Sequence, residues 1–313
     1  MKKNLFVILL LFLITIFLLS GCVEEKSRAD IIPDDAIKVT PETDLFPPVV
    51  HDLMWADPIP VPGPINTAGA EDAGFITPDG NTLIFFFTPD VTVPPNEQLF
   101  DGVTGLWWSQ RQGNSWTEPT RIKLGNTIAL DGAPFYQDNT LWFASARAGN
   151  YRDLDFWTAE YVNNKWTNIK NTDQLLNEIY EIGEMHVSSD EKTLYFDHKS
   201  GNLFTTQLLD GVWTEPEEIG PPVNTAQKES RPFVNQDETE LWFHRPSGKG
   251  YAGAGIFRSI RNPDGTWGEP VEIVSNFAAE PSLDAEGNLY FSHHFFDEDL
   301  NMIEADIYVC YKQ

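Results

Sequence analysis

The chain has 313 residues, 41% hydrophobic and 13% aromatic, enough for one large all-β domain or two ordinary ones, which excludes a disordered polypeptide. Its 21 Lys and Arg against 47 Asp and Glu leave a net charge of −26, so the average surface repels phosphate backbones and no nucleic-acid partner is expected. With Cys22 and Cys310 as the 2 cysteines, a disulfide framework is excluded as well.

Residues 1–21 read as an export segment. Lys2 and Lys3 form a positive start, Leu5 to Leu19 an apolar run, and Leu19-Ser20-Gly21-Cys22 a small-residue cleavage site. This end resembles the lipobox of exported lipoproteins. The resemblance implies lipid on Cys22 and a protein anchored to the cell envelope outside the cytoplasm. An uncleaved transmembrane anchor is the alternative, although the run falls short of the roughly 20 residues a bilayer needs. Residues 22–50 carry Glu24, Glu25, Asp34, Asp35 and Pro33, Pro41, Pro47, Pro48 without an apolar period, and predict a solvated tether.

From residue 51 onward one block recurs five times, starting at Glu71, Asp131, Gly183, Glu229 and Ala279. Each passes an acid (Glu71, Asp131, Glu184, Glu229, Glu280) and a polar turn, then enters Leu-aromatic-Phe or a close variant, as two strands joined by a tight turn would. A third strand follows, and then a tryptophan before a proline: Trp116…Pro119, Trp213…Pro216 and Trp267…Pro270, with Trp166 in a copy lacking the proline. Proline confines that fourth strand to the outer edge. Four strands per repeat of about 50 residues are the pattern of propeller blades. The last copy has no Trp-x-x-Pro, but Trp55-Ala-Asp-Pro58 precedes the first. The chain therefore predicts an all-β fold over 51–313, a single five-bladed β-propeller closed by an N-terminal strand, with one short helical turn at 173–179.

These repeats resemble the WD40-like propeller repeats of TolB-type exported proteins. That resemblance implies a fold and leaves activity open.

The repeat acids are expected as a ring about the channel. Strict alternation adds His186 and Arg231 two residues beyond Glu184 and Glu229. The ends of the second strands add Arg147, His198, Arg245, His293 and His294. This set, Glu71, Asp131, Glu184, His186, Glu229, Arg231, Glu280, Arg147, His198, Arg245 and His293 with its neighbour His294, is the predicted binding funnel. Unequal loops on the same face carry Phe100, Tyr151, Tyr251, Phe295 and Phe296, which suit sugar rings. The acidic run Asp297–Asn301 lacks the glycine and glutamate of a calcium loop, so no metal and no cofactor are expected. The function read from these features is a lipid-anchored binding or docking module for a glycan or protein partner. The alternative is a glycoside hydrolase using Glu71, Asp131 and Glu184.

Overall fold

A computed structural model describes residues 26–126 and 129–313, so the export segment and Cys22 lie outside the described residues. Among those described, no helix is long and apolar enough to cross a membrane. Two short strands, β1 (Val49–Val50) and β2 (Ile59–Pro60), precede the repeats. The first repeat forms β3 (Ala70–Ile76), β4 (Thr82–Thr88), β5 (Gly105–Gln112), β6 (Ser115–Trp116) and β7 (Thr120–Arg121). The second forms β8 (Asp131–Gln137), β9 (Thr140–Ser145), β10 (Asp155–Val162) and β11 (Lys165–Asn171). Next come β12 (Met185–Val187), β13 (Thr193–Asp197), β14 (Leu203–Leu209), β15 (Val212–Trp213) and β16 (Glu217–Glu218). The following repeat is β17 (Ser230–Val234), β18 (Glu240–Pro246), β19 (Ala254–Ile260) and β20 (Val271–Ser275). The last is β21 (Ala278–Leu283), β22 (Leu289–Phe296) and β23 (Met302–Cys310).

Within each repeat the strands pair antiparallel in chain order, and the first strands converge on one narrow axial space, which makes the fold a β-propeller. Strand β2 pairs antiparallel with β23, Ile59 opposite Val309, and Trp55 bridges to Lys312. Beside it, β23 touches β3 in parallel at Ala305 and Ala70. Proline shapes the outer edges: Pro119 and Pro216 fall between the two fragments of an outer strand, β6 and β7 or β15 and β16, whereas the copy without proline gives the unbroken β11. The helical turn expected at 173–179 is a π-turn over Leu175–Ile179, and a second turn, Pro95–Gln98, stands in a segment read only as loop.

Residues 26–50 correct the tether expectation, for they form a strap docked on the propeller. Arg28 is 3% exposed; its guanidinium donates to Glu71 at 2.8 Å and to the carbonyls of Ile65 and Pro64 at 2.6 Å. It stands over the rings of Phe85, Phe87 and Trp107. Farther along, Lys38 pairs with Glu304 and Asp306, Asp44 meets His293 at 2.8 Å, and β1 adds to β20. Ile31, Ile32, Val39 and Val50 pack against the core, and Phe46 meets Phe277 edge-on. Composition hid this because these apolar residues follow no period and the charged ones among them read as solvated.

Truncating Arg28 leaves Glu71 sealed beside no cation. Arg28→Ala is expected to lower the unfolding free energy by about 3–5 kcal/mol, and Glu71→Gln in the same chain to recover most of it. Chemical denaturation checks this; a loss below about 1 kcal/mol would show the strap to be peripheral.

Candidate functional site

The register explains which side chains reach the axis. The recurring leucine at the start of each second strand (Leu83, Leu141, Leu194, Leu241, Leu289) pairs with Ile76, Tyr136, Val187, Val234 and Leu283. One residue before these lie Phe75, Phe135, His186, Phe233 and Ser282; three residues before lie Ala73, Ala133, Glu184, Arg231 and Glu280. Both sets line the axial space of about 60 Å³. Between the two layers the ladder slips in four of the first strands, and Ala73, Ala133, Arg231 and Glu280 take left-handed φ of 50, 46, 56 and 60°. Such a bulge turns the strand and suspends strict alternation. The acids grouped by sequence therefore belong to two layers: Glu184 and Glu280 face the axis, whereas Glu71, Asp131 and Glu229 sit five residues before the reference positions.

That second group is paired away from the axis. Glu71 holds Arg28 and the Thr67 hydroxyl; Asp131 holds Arg147 at 2.7 Å and Ser145 at 2.6 Å; Glu229 holds Thr225 at 2.6 Å and Arg245 at 3.5 Å. Corresponding pairs stand at His198 with Glu181, 3.4 Å, and at His293 with Asp44. Burial still pushes Glu71 up to about 7 against the pull of Arg28, and raises Asp131. The structure thus places six predicted funnel residues, Glu71, Asp131, Glu229, Arg147, Arg245 and His293, in inter-strand ion pairs. They are not brought together at the cavity, and neither Glu71 nor Asp131 meets Glu184.

His186 is also placed apart. It packs edge-on against Phe135 at 4.7 Å and Phe233 at 4.5 Å, and burial drives it down to about 3, so it is a neutral member of the aromatic floor. Phe295 is buried, and Phe296 stacks on Phe277 at 4.0 Å, so these two loop aromatics pack inward. Phe100, Tyr151 and Tyr251 remain exposed. Asp297 accepts from the backbone of Asp299 and Asn301, closing its own turn.

Above the floor opens a cavity of about 800 Å³, lined by Asp72, Glu184, Asp197, Arg231, His244, Glu280 and His294 on its polar side. Ala144, Leu154 and Phe156 line it on the other side, with His198 and Arg152 at the rim. One guanidinium nitrogen of Arg231 bridges Glu184 and Glu280, and the Arg231 amide donates to Asp197 at 3.0 Å. Asp72 accepts from His294 at 2.9 Å and shares a hydrogen bond with Glu280, which also accepts from Ala73 N and Ser292.

Electrostatics split these carboxyls. Burial pushes Glu184 up to about 8 and Glu280 to about 7 despite Arg231. Asp72 is buried too, yet His294 and Arg231 hold it far below the carboxylate range, while Asp72 in turn raises His294. Burial takes His244 down to about 3. The acceptor atoms of Asp72, Glu280 and His294 lie within 4.8 Å of one another, the group among the described residues whose spacing suits a metal ion.

Asp72, Asp197 and His244 were not among the expected site residues, whereas His294, expected at the end of its second strand, does line the cavity. Asp72 was masked by its neighbour Glu71, and Asp197 by His198. A signal existed in the repeat: aligning on the leucine puts Phe86, Ala144, Asp197, His244 and Ser292 at one position facing the axis.

No protein-family model matches the chain, and no curated protein does. Among solved structures it is similar to a xylan β-1,4-xylosidase from Bacillus Halodurans C-125, at 10% identity and TM-score 0.48 over 80% of this chain and 54% of that one, so the chain spans about half its length. It is similar to an α-L-arabinofuranosidase from Podospora anserina in complex with cellotriose, at 10% identity and TM-score 0.46, covering 83% and 96% of the two chains. A gluconolactonase from Xanthomonas campestris matches at 10% identity and TM-score 0.43, over 85% and 95%. Nothing about activity follows from likenesses this distant.

Two outcomes follow from the buried groups. His186→Phe, which completes the aromatic floor, should leave the melting temperature unchanged or raised and leave ligand binding intact; a loss of binding would return His186 to the site. Glu71, Glu184 and Glu280 have folded pKa values near 7 or 8 against an ordinary 4.5, so the folded chain binds more protons in that window. Their contribution is complete below about 4.5 and is lost as pH rises through 7 to 8. Denaturation at pH 5.5 and 8.5 should show lower stability at 8.5, a difference that Glu184→Gln reduces.

Proposed function

We propose that the axial cavity binds a glycan and that its carboxyls perform glycoside hydrolysis, with Glu184 as general acid and Asp72 as the ionised partner. The observation that carries this reading is the opposite protonation of neighbouring carboxyls around Arg231. Environments that push two acids apart assign them acid and base roles. Glu184, protonated below about 8, can deliver a proton to a glycosidic oxygen. Asp72, kept ionised by His294, can serve opposite it as nucleophile or base. Arg231 and the apolar wall of Ala144, Leu154 and Phe156 would orient the sugar, which offers hydroxyls to one and C–H faces to the other.

A second reading, a glycan-docking module without turnover, is favoured by Arg231 itself, which engages Glu184 and Glu280 together. Supporting architecture belongs to the same proposal: a five-bladed ring over 51–313, closed where β2 completes the last blade, as axial lining by every repeat supports. Sequence alone supports a TolB-like lipoprotein, exported and anchored through Cys22.

Purified protein assayed on a panel of aryl glycosides and polysaccharides tests the chemistry. Glu184→Gln and Asp72→Asn are expected to lower kcat by about 10²–10⁴-fold with substrate still bound. The wild-type rate should fall as pH rises past about 8, where Glu184 loses its proton. Inactivity across the panel, with glycan binding that Arg231→Ala weakens, would remove hydrolysis and leave docking.

A further inference from the structure

The strap enters the fold at the cavity end of the propeller. Each first strand begins at that end and each second strand finishes there, so Glu71, Thr88, Asp197 and His294 lie at the same end as the cavity mouth. Lys26 donates to the carbonyl of Asp101 in the loop after β4, and Arg28 is sealed against Glu71 and the upper rings Phe87 and Trp107. Three residues separate Cys22 from Lys26. Fully extended, the chain between these two Cα atoms spans at most about 14 Å.

We infer that the propeller rests with its cavity end against the lipid surface, so that the cavity serves a glycan presented close to the membrane. This rests on the proposed lipidation of Cys22 and goes beyond it by fixing which end of the molecule meets the bilayer. A free tether of some 28 residues would leave orientation open. The docked strap shortens it to a leash smaller than the propeller's own height, which a seven-residue strand sets at about 23 Å. The loop that receives Lys26 carries Phe100, 76% exposed, and Tyr151 is exposed at the same end. Exposed aromatic side chains near an anchor suit the headgroup boundary. The acids of this end, among them Asp90, Glu97 and Asp101, favour a zwitterionic surface over an anionic one.

The chain from Cys22 onward keeps every described residue and can be coupled through the Cys22 thiol to a maleimide phospholipid in zwitterionic vesicles. Cys310 is buried and stays unlabelled. A fluorescent amino acid is placed at position 100, or at position 212 in the turn at the opposite end, where Val212 is exposed. Energy transfer to an acceptor lipid should be several-fold stronger from position 100. Equal transfer, or stronger transfer from position 212, overturns the orientation. A flexible Gly/Ser insert of about 40 residues before Lys26, reaching about 35 Å, should abolish the difference; a difference that survives it overturns the leash as its cause. The mass of the Cys22 peptide from cell membranes tests lipidation separately, because the vesicle measurement does not depend on it.

Discussion

A carboxylate sealed at the start of an inner strand needs a cation within reach, because a buried unpaired charge costs more than most single contacts return. Each repeat meets that demand differently. The second and fourth supply both partners, Asp131 with Arg147 and Glu229 with Arg245. The first has Phe87 where the fourth has Arg245, so its Glu71 takes Arg28 from the strap. In the last, the sheet brings His293, and the strap brings its partner, the acid Asp44, at 2.8 Å. The N-terminal segment is therefore held at two places where a repeat is missing half of its pair. With Lys38 between them on Glu304 and Asp306, it spans the junction of the first and last repeats.

The cavity obeys a different constraint. Its floor is a mostly aromatic layer of Phe75, Phe135, His186 and Phe233, which puts low-polarity groups beneath the carboxyls above. Over that floor Glu184 and Glu280 are raised even with Arg231 bridging them, since desolvation outweighs a single shared cation. The first two repeats place alanines, Ala73 and Ala133, where the others place Glu184, Arg231 and Glu280. The cavity is therefore not ringed by identical acids: Asp72 of the first repeat, beside His294, is held low, whereas burial raises Glu184 and Glu280.

Much of the fold was legible because it rests on local rules: tight turns, Leu-aromatic-Phe strands and proline-marked edges repeat in the sequence as they do in space. The site was half legible. Glu184, Arg231, Glu280, His198 and His294 were found, because polar residues at the starts of first strands and the ends of second strands are visible in one dimension. Alternation then misassigned the rest, since the bulge at Ala73, Ala133, Arg231 and Glu280 changes which side the chain presents. Nothing in the residue types announces it: alanine, arginine and glutamate have no preference for left-handed φ, so the conformation is imposed by packing at the axis. The strap was illegible for a related reason. Its contacts are scattered ion pairs and single apolar side chains, Ile31, Ile32, Phe46 and Val50 among them, which leave no period in the sequence.

The two layers also carry different chemical meaning. Where the same contact recurs with its partners exchanged, as between Glu71 with Arg28 and Asp44 with His293, what is preserved is a polar partner for the buried group, and either order satisfies it. Three residues before the reference position, the repeats carry alanine, alanine, glutamate, arginine and glutamate, so neither size nor charge is held constant there. A position that faces a cavity of about 800 Å³, and at which the repeats hold neither size nor charge constant, is one where charge can be arranged for a ligand. Arg231 occupies that position with a left-handed backbone and both neighbouring carboxyls on one nitrogen. Local strain and a shared cation at one residue, beside the axis, make it the point on which the chemistry of the cavity turns.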